Sequence, residues 1–240
     1  MTILPYKEDK SGKKKQIAMM FNNISRKYDL LNHLLSLGID ISWRKKAINQ
    51  LKTLQPKKIL DVATGTADFA IEAISLKPDK VIGVDISEGM LEQGKEKIKK
   101  LKLQQSIELL MADSEDLPFL DNKFDAVIVA FGVRNFENLE KGLSEMIRVT
   151  RVGGMVVIIE FSRPPDFPFN YIYNFYFKYI LPGIGKIISK DKSAYRYLPD
   201  SVMAFPDGEN FISILRKTGF KNLKCLPLTF GISCIYTGSK

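Results

Sequence analysis

Between residues 57 and 161, short β-rich runs alternate with helical stretches, and this alternation constrains the fold more than anything else in the chain. KKILDVA (57–63), VIGVDI (81–86), SIELLMAD (106–113) and FDAVIVAFG (124–132) read as strands. MVVIIEF (155–161), after a turn at Gly153-Gly154, reads as a fifth. Helices are predicted at 66–76, at 87–101 with Ser87 as N-cap, and at about 137–150. Nearly continuous apolar strands joined by helices call for a parallel sheet covered on both faces. A chain of 240 residues holds one such domain.

After 161 the pattern changes. RPPDFP (163–168) breaks any helix, and eight aromatic residues crowd into 167–179. One helical face cannot bury them all. A bilayer interface, a prenyl tail and packing in the body or a dimer interface all remain open for them. A helix near 207–218 stops at Gly219, and runs at about 223–230 and 232–238 read as a hairpin. The expected layout of the single domain 1–240 is therefore a basic helical segment (1–56), a ligand-binding core (57–161), an aromatic-rich insertion (162–206) and a closing helix and hairpin (207–240).

The net charge of +9 is unevenly placed. Residues 1–58 hold 13 Lys/Arg against 4 Asp/Glu, which is the whole surplus; the rest of the chain carries 23 of each. Such a segment suits nucleic acid, an anionic membrane surface or an acidic ligand, and equally a solubilising tail. No apolar run reaches the roughly 18–20 residues of a membrane span. The N-terminus has the wrong order of charge and apolar residues for a secretory signal. Cys225 and Cys234 suit a reducing compartment. With His33 the sole histidine, neither a four-cysteine nor a His-rich metal site can be assembled.

Chemistry concentrates at the strand ends. The first strand runs into Asp61-Val62-Ala63-Thr64-Gly65-Thr66-Ala67-Asp68, a loop of small residues that lets a ligand approach the backbone. The second ends in Asp85, at a distance suited to accepting both hydroxyls of a ribose. The third ends in Asp113-Ser114, placed to reach an adenine amino group. Gly65 stands alone between Ala63 and Ala67, and position 70 is alanine, so a dinucleotide fingerprint is missing. Acids at three successive strand ends instead fit S-adenosylmethionine, which carries no phosphate.

The blocks MFNNISRKYDLLNHLLSLGIDISWRKK (20–46), ILDVATGTADFA (59–70), GVDISEGML (83–91), LPFLDNKFD (117–125), AFGVRNF (130–136), RVTRVGG (148–154), IIEFSRP (158–164) and YRYLPDSVMAFP (195–206) closely resemble the ubiquinone/menaquinone biosynthesis C-methyltransferases. The resemblance covers nearly the whole chain. It implies a class I S-adenosylmethionine-dependent methyltransferase (Rossmann-like) α/β fold: a mostly parallel seven-stranded sheet, a C-terminal antiparallel hairpin and an N-terminal helical lid. It implies methyl transfer to a ring carbon of a polyprenylated quinol, most simply demethylmenaquinol to menaquinol, with the methoxy-benzoquinol of the ubiquinone pathway as the alternative. Cofactor contacts carried over by motif are Thr66, Asp85, Asp113 and Ser114, beside Gly65 and Asp61 of the first loop. Ala130 replaces a serine that some members use, and Ala67 replaces a loop glycine.

Ring carbons become nucleophilic when the neighbouring hydroxyl loses its proton. Arg134 is the candidate to stabilise that phenolate, and His33 the candidate general base. Tyr28, Asn32, Phe131, Asn135, Tyr195 and Tyr197 are expected around the acceptor, with Trp43 and Arg44 helping to close the lid or filling the core. No metal is required. The expected partners are the lipophilic quinol and an anionic membrane surface, with a homodimer left open. The expected location is cytoplasmic and peripherally membrane-associated. A nucleic-acid methyltransferase is disfavoured, because AFGVRN stands where an amino-methylating enzyme needs Asp/Asn-Pro-Pro-aromatic and both cysteines lie far from that strand. A membrane-binding module without catalysis is the remaining alternative.

Overall fold

A computed structural model describes residues 3–36, 38–164, 167, 171 and 192–240. Its core is one seven-stranded sheet: β1 (Lys58–Val62), β2 (Lys80–Asp85), β3 (Ile107–Met111), β4 (Phe124–Ala130), β5 (Thr150–Phe161), β6 (Lys221–Leu228) and β7 (Ser233–Ser239). The order across the sheet is β3-β2-β1-β4-β5-β7-β6. The first five strands are parallel, and β7 runs antiparallel between β5 and β6. The expected hairpin is thus the sheet's far edge.

Alternation along the strands builds two cores. Leu60, Val62, Val127, Val129, Val156 and Ile158 face one side. There they meet α5 (Leu139–Val149) and α7 (Glu209–Lys217), while α6 (Lys192–Ala204) packs on the loop after β4. Ile59, Ala126, Ile128, Val157 and Ile159 face the other, against α2 (Ile39–Asn49), α3 (Asp68–Ala73) and α4 (Glu88–Lys100). Both faces of the central strands are buried, as their uninterrupted apolar sequences require.

Three boundaries differ from expectation. The β5 strand begins at Thr150, so Gly153-Gly154 is not a turn before it but an irregularity within it, where the pairing slips between Phe124 and Ala126. A Cβ on Gly154 would stand 2.7 Å from the Asp125 carbonyl oxygen. α3 starts at Asp68 rather than 66, because Ala67 adopts a left-handed conformation (φ 70), and its last turn tightens to a 3₁₀ helix at Ile74–Leu76. Thr229 and Phe230 turn out of β6 with φ of 44 and 56.

The N-terminal segment forms α1 (Lys13–Leu35), which lies across the start of α4. Asn22 Oδ1 accepts from the Gly89 N–H (2.9 Å) and the Ser87 hydroxyl (2.8 Å), adding to the predicted Ser87 cap. A Cβ on Gly89 would press on Ser25 Oγ at 3.0 Å, so glycine permits this close crossing. Of the eight aromatic residues in 167–179, only Phe167 and Tyr171 are among the described residues, and both are exposed. Among the described residues, no helix is long and apolar enough to cross a membrane.

Candidate active site

The chain passes from β1 outward to β3 and then returns to place β4 on the other side of β1. At such a reversal the loops beyond the strand ends diverge and leave a crevice. Here the crevice has an empty volume of about 670 Å³, mouth included, within the range of small-molecule sites. The loops after β1 and β4 touch at its floor. A Cβ on Gly132 would meet the Ala63 Cβ at 2.7 Å.

Asp85 ends β2 at the pocket wall. One carboxylate oxygen accepts from the Gly65 N–H (2.8 Å), the other from the Ser87 N–H (2.9 Å). Burial pushes its pKa up, and these backbone donors oppose the shift. Each oxygen keeps a lone pair for further donors. Asp113 and Ser114 also line the pocket. Asp113 accepts from the Glu115 N–H (2.9 Å) and from Lys14 Nζ of α1 (2.6 Å).

Lys14 also reaches Glu115 (3.3 Å), while Lys13 Nζ donates to the carbonyls of Arg134 (3.2 Å) and Phe136 (2.7 Å). Two adjacent lysines therefore strap α1 across the loops after β3 and β4. Among the described residues, four carboxylates line the pocket (Asp85, Asp113, Glu115 and Glu137) against a single cation, Lys14. That balance fits a positively charged ligand and repels a phosphate.

Asp61 lies beneath the loop rather than on the wall. Thr64 Oγ1 donates to its Oδ2 (2.6 Å), and its buried Oδ1 has no partner among the described residues. Burial raises its pKa to about 7. An orphaned acceptor under a small-residue loop and an acidic wall both suit the ammonium and sulfonium of S-adenosylmethionine. Thr66 is buried too. Its hydroxyl donates to Asp29 (2.5 Å) and accepts from Lys97 Nζ (3.1 Å), so it fastens α1 to α3 and α4 from behind the wall.

At the other end, Tyr28, Phe131 and Asn135 line the pocket. Asn32 hydrogen-bonds to Tyr28 from behind. Tyr197 donates to Asn135 Oδ1 (3.1 Å); the Tyr195 side chain lies outside the described residues. Phe131 stacks on Phe161 at 4.6 Å, and buried Trp43 closes the group while donating to Thr229 Oγ1 (2.9 Å). His33 is off the wall, with Nδ1 3.0 Å from Asp40 and Nε2 3.7 Å from Asp68. Arg44 joins the same two carboxylates, which locks α2 to α3. Arg134 also stands behind the wall, paired with Glu160 (2.8 Å).

Lys13, Lys14, Glu115 and Glu160 escaped the sequence reading. A run of lysines reads as a solvated tail, and a glutamate inside an apolar strand carries no local signal. Glu160 does sit within the IIEFSRP block, which was the only pointer to it.

Two solved structures with this architecture share little sequence with the chain. A methyltransferase of Thermotoga maritima, described as a possible histamine N-methyltransferase, aligns with a TM-score of 0.61 at 19% identity, covering 92% of this chain and 99% of its own. The [4+2]-cyclase SpnF reaches 0.69 at 13% identity, covering 96% and 97%. These likenesses establish the fold. Curated relatives are far closer. The demethylmenaquinone methyltransferase of Bacteroides fragilis is 52% identical, covering 99% of this chain and 97% of the relative. The same-named protein of Porphyromonas gingivalis is 42% identical over 99% and 98%. The ubiquinone/menaquinone biosynthesis C-methyltransferase of Geotalea daltonii is 45% identical over 95% and 97%. Residues 8–240 match the ubiE/COQ5 methyltransferase family, and the chain is therefore an S-adenosylmethionine-dependent methyltransferase belonging to that family.

Proposed function

We propose that this enzyme methylates a ring carbon of a polyprenylated quinol, converting demethylmenaquinol to menaquinol. The observation that carries the reading is the 52% identity, over essentially the full chain, to the Bacteroides fragilis demethylmenaquinone methyltransferase. S-adenosylmethionine supplies a methyl group already activated by a positively charged sulfur. Asp85 holds its ribose hydroxyls, Asp113 and Ser114 its adenine, and the Gly65 loop with Asp61 its amino-acid end. Thr66 supports that loop from behind.

The remaining work belongs to the chain's own side chains. Tyr28, Phe131 and Asn135 orient the quinol ring, and the aromatic group around Phe131 keeps water away. An arginine keeps its charge at any accessible pH, so Arg134 serves as the electrostatic partner of the phenolate rather than as a base. His33, held between Asp40 and Asp68, acts on the lid. The acceptor's prenyl tail explains a peripheral site of action at an anionic membrane surface, reached from the cytoplasm.

The test is turnover. Purified protein with S-adenosylmethionine and a short-chain demethylmenaquinol is expected to give methylated quinol by mass spectrometry. Asp85→Ala is expected to weaken cofactor binding roughly tenfold to a hundredfold by calorimetry, as loss of charge-assisted hydrogen bonds does. Cofactor binding with no turnover on any quinol would refute the reading. Because the Geotalea daltonii relative is named for both quinones, a demethylated ubiquinone precursor belongs in the same assay.

A further inference from the structure

The structure brings three separated sequence blocks onto the loop after β4. Asn135 of that loop is held by Tyr197 of the YRYLPDS block. Arg134 is held by Glu160 of the IIEFSRP block. Glu160 is the second-last residue of β5 and is 0% exposed. Its Oε1 accepts from Arg134 Nη1 (2.8 Å) and from the Phe161 N–H (2.9 Å). Its Oε2 accepts from the Arg134 main-chain N–H (3.3 Å). One carboxylate thus grips both the guanidinium and the backbone of the same residue.

A buried ion pair is weak evidence for stability, since apolar residues of similar volume often serve the fold as well. The arrangement here also leaves something unfinished. The Arg134 side chain is 7% exposed, yet its buried Nε has no partner among the described residues. A desolvated donor without an acceptor is costly and asks for a group that these residues do not supply. Two phenols sense the guanidinium. Burial holds Tyr28 above its ordinary pKa, and Asn32 and the Arg134 charge pull it down. Burial pushes Tyr197 up to about 12, against the same charge, and the Glu160 carboxylate adds to the rise. A quinol hydroxyl beside Tyr28 would be acidified in the same sense.

We propose that Glu160 is a positioning residue for methyl transfer, holding the Arg134 guanidinium behind the acceptor end of the pocket so that its charge acts on the forming phenolate. This rests on the quinol reading above. Its grip through two oxygens fixes the loop and the charge together, so the arginine need not reorganise as the hydroxyl loses its proton.

The test compares wild type, Glu160→Gln, Arg134→Gln and the double variant on short-chain demethylmenaquinol across pH. For Glu160→Gln we expect an unchanged cofactor Kd by calorimetry, an acceptor KM near that of wild type and a kcat lowered roughly tenfold to a hundredfold. The acidic limb of the kcat profile should move to higher pH, as in Arg134→Gln, because the phenolate has lost its partner. In the Arg134→Gln background, Glu160→Gln should change kcat less than about twofold, as expected when one residue acts only through the other. Multiplying effects, or a limb that stays put or moves down, would overturn the assignment. Should Glu160→Gln not fold, Glu160→Asp, which keeps the charge but shortens the reach, should show a smaller loss with the same direction of limb shift. A wild type that methylates no quinol removes the quinol reading and this inference together. Turnover by wild type with multiplying effects removes this inference alone.

Discussion

Asp61 and Asp85 end neighbouring parallel strands, yet their carboxyls live differently. Asp85 has a backbone donor on each oxygen, whereas Asp61 has one hydroxyl on Oδ2 and, among the described residues, nothing on Oδ1. Burial takes the Asp61 pKa from 3.8 to about 7. The native state therefore keeps a proton that the unfolded chain releases near pH 4. The contribution of Asp61 to stability is greatest below that pH, falls as pH rises toward 7, and is flat above. Asp61→Asn removes this penalty. Its advantage over wild type, read from urea midpoints without cofactor, should grow between pH 5 and pH 8 and reach roughly 3–4 kcal/mol. Equal differences at both pH values would show that the carboxyl is not raised. The three strand-end acids were legible because a carboxylate closing an apolar strand has no packing reason to be there. Which of them faces the ligand was not. That depends on the left-handed turns at Ala63, Gly65 and Ala67, which tuck Asp61 under the loop and leave Gly65 at the wall. Arg134 was legible as a candidate, but Glu160 and its meeting with that arginine across 26 residues were not.

At the scale of the element, α1 shows why a charge count misleads. Its inner face, Lys14, Ile17, Phe21 and Tyr28, is pocket wall. Its outer face, at the complementary helical positions, carries exposed Lys15, Met19, Arg26 and Leu30, with Met19 37% and Leu30 64% exposed. The acids of α1 and α2, Asp29 and Asp40, are engaged with Lys97 and Arg44. Of the three consecutive lysines, two are spent on the pocket's rim and one faces outward, a division set by helix phase and invisible in composition. The outer face, apolar residues among cations, suits the membrane contact proposed above. Lys15→Glu with Arg26→Glu should weaken binding to anionic vesicles more than tenfold, since each cation near such a surface contributes about 1 kcal/mol and reversal adds repulsion. Cofactor affinity should not change, because neither residue touches the pocket. Sedimentation with vesicles and calorimetry give the two readings. Unchanged sedimentation would remove this face from the membrane proposal.

Over the whole molecule, the parallel sheet, the closing hairpin and a site at the strand ends could be read from the repeating pattern, and the seven-stranded sheet followed from the family resemblance. The role of the first fifteen residues could not. As sequence they resemble a solvated tail, yet the fold ties them down. Gln16, fully buried, accepts from the Tyr6 N–H (3.0 Å) and donates to the carbonyls of Asp9 (2.9 Å) and Ser11 (2.9 Å), so the chain before α1 wraps around one amide. Lys13 then satisfies two carbonyls of the β4 loop, and Lys14 bridges Asp113 and Glu115. These contacts join the N-terminus to two of the loops that build the cofactor pocket, and such links arise only once the sheet has brought the loops together. Removing residues 1–15 should therefore do more than reduce membrane binding. It leaves the Arg134 and Phe136 carbonyls and two carboxylates without their cations, and exposes the amide of Gln16. We expect a melting temperature lower by about 5 °C or more and a cofactor Kd raised severalfold, both absent from the Lys15→Glu, Arg26→Glu protein. A truncated enzyme with wild-type melting and cofactor affinity would return these residues to the status of a tail.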